Sequence, residues 1–400
     1  MTAQGERLPP PTVSLGPSTW LRENLFNSWY NAVLTVVLAL ILGWLAIRVG
    51  EWATTTARWG VVTANLRLFL IGLYPADQAG RVWLSLTALS ALAGLSAAVW
   101  RGAAVRTLAF WLAAAQALLA GLAAVSELGL AVTFALLLNV AIAWTAFAVG
   151  LRLPVPRPAL AIAWLAFVPV ALVLLAGVGG PLPVVATNLW GGLLLTFLLA
   201  IVGIVLSFPF GVLLALGRRS DLPAIRLLST AYIEIIRGVP LVTILFMAAV
   251  MLPLFLPGEI RVEHVVRAMA GITLFSAAYV AENVRGGLQA IPSGQVEAAH
   301  ALGLNALQTN LYIVLPQALR SVIPANVGLF ISLLKDTTLV TIGAGLLEIL
   351  GIGRAVLAQS EWFGAQLEVY AFIAAVFFVM CYTMSQASYR LETALGVGQR

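Results

Sequence analysis

Residues 285–320 read RGGLQAIPSGQVEAAHALGLNALQTNLYIVLPQALR. Two short helices with a turn between them are written into this stretch. Residues 295–302 are Ala-rich and helical, and Gly303 suits the position after a helix end, where a positive φ is needed. A second helical run, 305–315, is expected to end before Pro316, because a proline disfavours helix in the residue preceding it. Ala298 and Ala299 are small enough to let another surface approach closely. Glu297 offers one charge, to an arginine or to the N-terminus of a helix. A compact helical hairpin of this kind is a docking device.

The sequence around the hairpin is apolar. Of the 400 residues, 61% are hydrophobic and only 10% are charged, where soluble domains carry roughly 25% charged residues. So little charge cannot cover a water-facing surface, and the chain reads as an all-α integral membrane protein. A span needs about 20 apolar residues. Candidates lie at 24–47, 82–100, 107–126, 128–151, 160–178, 190–216, 238–258, 268–281 and 369–389. Residues 321–347 are interrupted by Lys335 and Asp336 and read as a broken or re-entrant pair. The expectation is about ten spans, divided near residue 185. Residues 1–184 form an N-terminal extension of about five spans, with an outside loop at 48–81. Residues 185–395 carry the patterned charge.

The balance of charge gives orientation. With both termini cytoplasmic, 14 of the 21 arginines fall inside and seven outside, as the positive-inside rule requires. The net charge of +6 then belongs to cytoplasmic loops, and no nucleic-acid partner is implied. Residues 1–20 are polar and Pro-rich, without the apolar core of a signal peptide. The first span is therefore expected to stay as an uncleaved anchor. A single cysteine, Cys381, excludes an internal disulfide framework. His264 and His300 stand alone, so no metal site is expected. The one lysine, Lys335, follows Leu334 and not glycine, so no phosphate-binding G-x-x-x-x-G-K-[ST] loop exists in this chain. The 12 tryptophans suit the membrane interfaces. Gly191-Gly192 and Gly286-Gly287 suit close helix contacts.

The hairpin resembles the EAA motif of ABC importer permeases, EAA-x3-G-x9-I-x-LP. Glu297, Ala298, Ala299, Gly303, Ile313, Leu315 and Pro316 fall at that spacing, within a loop near 292–316. Three further stretches are similar to motifs of the polar amino acid branch: YIEIIRGVPL at 232–241, AYVAENVRGG at 278–287 and LLKDTTL at 333–339. The start of the chain, with WLRENLFNSWYN at 20–31 and LIGLYP at 70–75, is similar to the M-type subunit of general L-amino acid permeases. The resemblance implies a five-helix type I importer core over 185–395, preceded by extra spans, in a bacterial inner membrane. It implies a transport subunit and not an enzyme, with the hairpin coupled to a separate ATPase dimer that carries ATP and magnesium. A second permease chain, a periplasmic amino-acid-binding protein and an amino acid substrate are implied as well. The alternative reading is an ion- or proton-coupled secondary transporter. It would need several acids at mid-membrane depth, and only Asp336 stands out there.

Two charge groupings remain. Glu234/Arg237 and Glu282/Arg285 each place opposite charges one helical turn apart. They read either as simple ion pairs at the membrane edge or as part of an inter-helix gate. If a helix enters the membrane near Ile323, 13 residues at 1.5 Å each put Asp336 about 20 Å deep. Lys335, Asp336 and Thr337 then either line the translocation path or form a mutually neutralising pair at a helix break.

Overall fold

The computed structural model describes residues 16–257 and 262–396. Arg7, Arg261 and Arg400, most of the polar start and both chain ends lie outside the described residues. Every regular element among the described residues is a helix. The described residues up to Arg58 form one compact unit and those from Trp59 onward another. In the first unit, helix α1 (Trp29–Glu51) buries none of its residues within the chain. A helix apolar on all sides suits a lipid surround.

The second unit starts with two short helices, Gly60–Ala64 and Leu66–Ile71. Four long ones follow: α2 (Ala79–Val99), α3 (Ala103–Ala124), α4 (Gly129–Arg152) and α5 (Arg157–Ala176). Then come α6 (Gly192–Arg218), α7 (Pro223–Arg237), α8 (Leu241–Phe255) and α9 (His264–Gln289). The chain closes with α10 (Ser293–Ala301), α11 (Leu315–Ser321), α12 (Ile323–Asp336), α13 (Ile349–Leu357) and α14 (Gln366–Leu395). Nine described helices are long and apolar enough to cross a membrane, or ten if α7 and α8 count as one bent span.

Two expectations from the sequence do not hold in the structure. The break expected around Lys335 and Asp336 is not a re-entrant bend. The helix continues through a 3-10 turn at Thr337–Leu339 and makes a single span, Ile323–Gly343. No proline or glycine interrupts residues 329–342, so nothing forces a bend there. The sharp bend, 106°, lies between α7 and α8, where Val239 precedes Pro240 and cannot easily stay helical. Residues 59–75, read as part of an outside loop, are largely helical and deeply packed. Val61, Val62 and Phe69 are buried against Ile349, Ile352 and Val356 of α13 and Val369 and Ile373 of α14. A Cβ on Gly72, at φ +63°, would fall 2.4 Å from Gly191 Cα. The first of the two adjacent glycines at 191–192 therefore receives this segment backbone to backbone.

The centre of the second unit is the crossing of α6 and α9. Cβ atoms on Gly203 and Gly211 would lie 2.8 Å from Ile272 and 2.5 Å from Val280. These two small residues, eight apart on one face, set how closely the helices approach. The α2–α4 crossing is as close, since Cβ atoms on Gly94 and Gly150 would lie 2.2 Å from Ala143 O and 2.8 Å from Ala98, and side-chain hydrogen bonds also radiate from α2. Gln116 Nε2 of α3 donates to Ser90 Oγ at 3.0 Å. Thr87 Oγ1 donates to Asn139 Oδ1 of α4 at 2.6 Å. Trp164 Nε1 of α5 donates to Ser96 Oγ at 2.8 Å.

Candidate functional site

The hairpin forms as its local signals require. After α10, the N–H of Leu304 donates to Ala299 O at 3.1 Å and that of Gly303 to His300 O at 2.9 Å. This is the Schellman arrangement, with Gly303 at φ +80°. No atom lies within 4 Å of a Cβ built on Gly303, so conformation alone, and not crowding, calls for glycine there. Asn305 then caps the next helix. Its Oδ1 accepts from Gln308 N at 2.9 Å, while Gln308 Oε1 accepts from Asn305 N at 3.0 Å. This reciprocal pair satisfies two otherwise orphaned amides.

The second run does not stop before Pro316. It passes through a π-helical turn, Thr309–Val314, and continues as α11 with Pro316 in its first turn. A missing N–H costs least in a first turn, and the wider π turn makes room for the ring. Val314 and Ala318 are buried in one cluster with Val284 and Leu288 of α9, while Ile313 and Leu315 are half-buried. A Cβ on Gly287 would meet Val322 at 2.5 Å, whereas Gly286 faces open space. The hairpin is thereby rooted on α9. Ala299 is its buried foot, Ala298 and Glu297 are exposed, and Leu302, Leu307 and Tyr312 are 81%, 67% and 69% exposed. Glu297 makes no ion pair among the described residues. It borders a cleft of about 340 Å³ shared with Arg219, Leu288 and Val314.

Five charges from three helices meet at the Arg218 end of α6. Arg285 chelates Glu282 through Nε, at 2.9 Å, and Nη2. This is one of the two pairs expected from sequence. The other does not form. Glu234 turns to Arg218 at 2.9 Å, and Arg237 reaches Glu282 at 3.5 Å. Ile233 is buried in α7, so Glu234 faces α6 while Arg237 faces α9 and lies over the Tyr279 ring. Arg218 also stands 3.6 Å from Glu282. Arg218 was not legible as a site residue, because in sequence it only ends an apolar run.

Lys335 and Asp336 form no ion pair with each other or with another described residue. Adjacent helical residues do not face one another. Lys335 is exposed and Asp336 half-buried. Thr337 is fully buried and donates to Leu334 O at 2.7 Å. A buried acid at the start of α13 carries no sequence signal. Glu348 is completely buried and caps α13, accepting from Leu350 N at 3.0 Å, Gly351 N at 2.9 Å and Thr341 Oγ1 at 2.8 Å. Glutamate is not among the favoured N-cap residues, so no pattern announced it. Asn326 is likewise buried, and its Oδ1 accepts from Asn283 Nδ2 of α9 at 3.0 Å.

Residues 207–391, which contain all of these groups, match the family described as "Binding-protein-dependent transport system inner membrane component". Over 95% of its length the chain is 36% identical to the inner membrane amino-acid ABC transporter permease protein YhdY of Escherichia coli (strain K12), covering 93% of that protein. The chain belongs to the amino-acid ABC transporter permeases. It is also 38% identical to the glutamate/glutamine/aspartate/asparagine transport system permease protein BztC of Rhodobacter capsulatus, over 97% of this chain and 95% of that one. Among solved structures, an amino acid ABC transporter with histidines is similar over 51% of this chain and 92% of its own, at 30% identity and a TM-score of 0.46. This permease is therefore a transport subunit of the inner membrane, and ATP hydrolysis belongs to a separate chain. The secondary-transporter alternative has no support among these relatives.

Proposed function

We propose that the permease passes polar amino acids through an ATP-binding-cassette importer, and that the hairpin of α10 and α11 is where a separate ATPase grips it. The observation that carries this reading is the hairpin's construction. A Schellman turn and a capping box hold it rigid, and it projects an unpaired Glu297 beside exposed Leu302, Leu307 and Tyr312. Rigid elements with an exposed apolar rim and one free charge suit a groove in a partner. ATP and magnesium are held by that partner, an ATPase dimer. A periplasmic binding protein delivers the substrate, and a second, different permease chain completes the membrane pair.

Both termini and the hairpin lie in the cytoplasm in this reading. The Arg218–Glu234–Arg237–Glu282–Arg285 network then sits at the cytoplasmic edge, where helices that separate during alternating access can exchange ionic partners. Lys335 and Asp336, unpaired with each other, are each free to meet one end of a zwitterionic substrate, and the buried Thr337 fixes the helix behind them.

Reconstitution with the cognate ATPase, partner permease and binding protein tests the coupling. Glu297→Lys and Gly303→Asp are expected to abolish substrate-stimulated ATP hydrolysis while leaving the permease folded. Normal uptake in both variants would overturn the assignment. Labelling of a single cysteine at residue 305, in a Cys381→Ala background, tests the topology. Reaction with an impermeant reagent from outside the cell would reverse it.

A further inference from the structure

The α2–α5 helices carry a feature that the proposed coupling and substrate contacts do not involve. A cleft of about 440 Å³ opens where α2 ends, α4 ends and α5 begins, and Arg101, Arg152 and Arg157 line it beside Gly150, Leu153 and Pro154. No carboxylate lines it. Between Asp77 and Asp221 the chain holds a single acid, Glu127, on the turn at the opposite ends of α3 and α4. None of the three arginines makes an ion pair or side-chain hydrogen bond among the described residues.

Two backbone observations set this cleft apart from an ordinary basic loop. Arg101 has φ +53°, the only positive φ at a non-glycine residue among the described residues. L side chains adopt that conformation only against a steric penalty, and such penalties gather at ligand clamps. Arg157 opens α5, whose N-cap Pro156 supplies no side-chain acceptor. A cation is disfavoured at a helix N-terminus, where unpaired amides point outward. An anion in the cleft would satisfy those amides and the three guanidinium groups together. The rim is apolar: Leu151 and Leu153 are 48% and 59% exposed, and Trp100 is 36% exposed. Tryptophan at such a place marks the headgroup level of a bilayer.

We propose that this cleft binds the phosphate of an anionic phospholipid, with the acyl chains lying along Trp100, Leu151 and Leu153. The phosphate chemistry alone would also accept a free phosphate ion; the apolar rim favours the lipid. The full-length permease in phosphatidylcholine nanodiscs, with or without phosphatidylglycerol, provides the test. Native mass spectrometry reads the retained lipid and thermal unfolding reads its effect. Wild-type protein is expected to retain phosphatidylglycerol and to unfold at higher temperature with it, and inorganic phosphate should neither displace it nor raise the transition. Displacement by inorganic phosphate would overturn the lipid as occupant.

Each basic group near an anionic surface contributes about fivefold in affinity. Arg101→Gln/Arg152→Gln/Arg157→Gln should therefore bind on the order of a hundred-fold more weakly. Arg101→Gly, which suits the positive φ, should bind about fivefold more weakly and unfold no earlier than wild type in phosphatidylcholine alone. Arg106→Gln, at the same end but outside the cleft, should leave binding unchanged. Undiminished binding in the triple variant or in Arg101→Gly, or an equal loss in Arg106→Gln, would show a diffuse surface charge and no site.

Discussion

The α2–α5 helices and the α6–α9 pair are both apolar, both cross the bilayer and both use glycines for close approach, yet their polar contacts differ. Lipid tails are as apolar as leucine, so no hydrophobic drive joins helices inside a membrane, and packing and hydrogen bonds must do it. In the first region one helix, α2, is tied to each of three neighbours by a side-chain hydrogen bond, through Ser90, Thr87 and Ser96. In the second, ionic contacts gather at one end of the helices, around Glu282. A dedicated bond fixes each partner of α2 in rotation as well as distance. Glu282 instead faces Arg218, Arg237 and Arg285 at once, so partners can change without stranding a charge.

The strongest way to break that contrast is to fill the crossing. Gly211→Leu places a side chain where even Cβ would lie 2.5 Å from Val280. It should cost about 3 kcal/mol or more and leave little protein that co-purifies with its partners. Gly211→Ala should cost about 1–3 kcal/mol. A transition temperature for Gly211→Leu equal to wild type would show that the crossing is loose.

Glu282→Gln comes next. It leaves three arginines facing only Glu234, and the half-exposed setting limits the loss to about 2 kcal/mol. Basal ATP hydrolysis in the reconstituted importer should rise relative to the substrate-stimulated rate. Adding Arg285→Gln should recover part of the stability; no recovery would mean that Glu282 acts outside the network. Smaller still is Asn139→Leu, which removes one bond to α2. Hydrogen bonds between membrane helices are worth about 0.6 kcal/mol and at most about 1.7. Uptake per folded molecule should be unchanged, and a lowered rate would place α2–α5 inside the transport cycle.

A similarly small effect on stability is expected at the hairpin. Gly303→Ala should cost about 1 kcal/mol through its positive φ. Gly303→Asn should cost less, because asparagine tolerates that region better than other side chains. Thermal unfolding should scarcely distinguish the two, whereas substrate-stimulated ATP hydrolysis should be lower in Gly303→Ala. Equal coupling in both would separate the turn's geometry from the coupling step.

Sequence alone determined what rests on short-range chemistry. The apolar runs set the spans, because a helix must satisfy its own backbone in a bilayer. Gly303 and Asn305 set the hairpin, because a positive-φ turn and a capping box involve only residues within five positions of one another. Only the tertiary structure decided the rest. Arg218 took Glu234 from Arg237 because α7 packs against both α6 and α9. Phe69 and Val61, in what read as a loop, became core because α13 and α14 offered them an apolar seat. Glu348 could be buried as a cap only because Thr341 and two amides converge on its carboxylate. Lys335 and Asp336, adjacent in sequence, were kept apart by the turn of the helix that carries both.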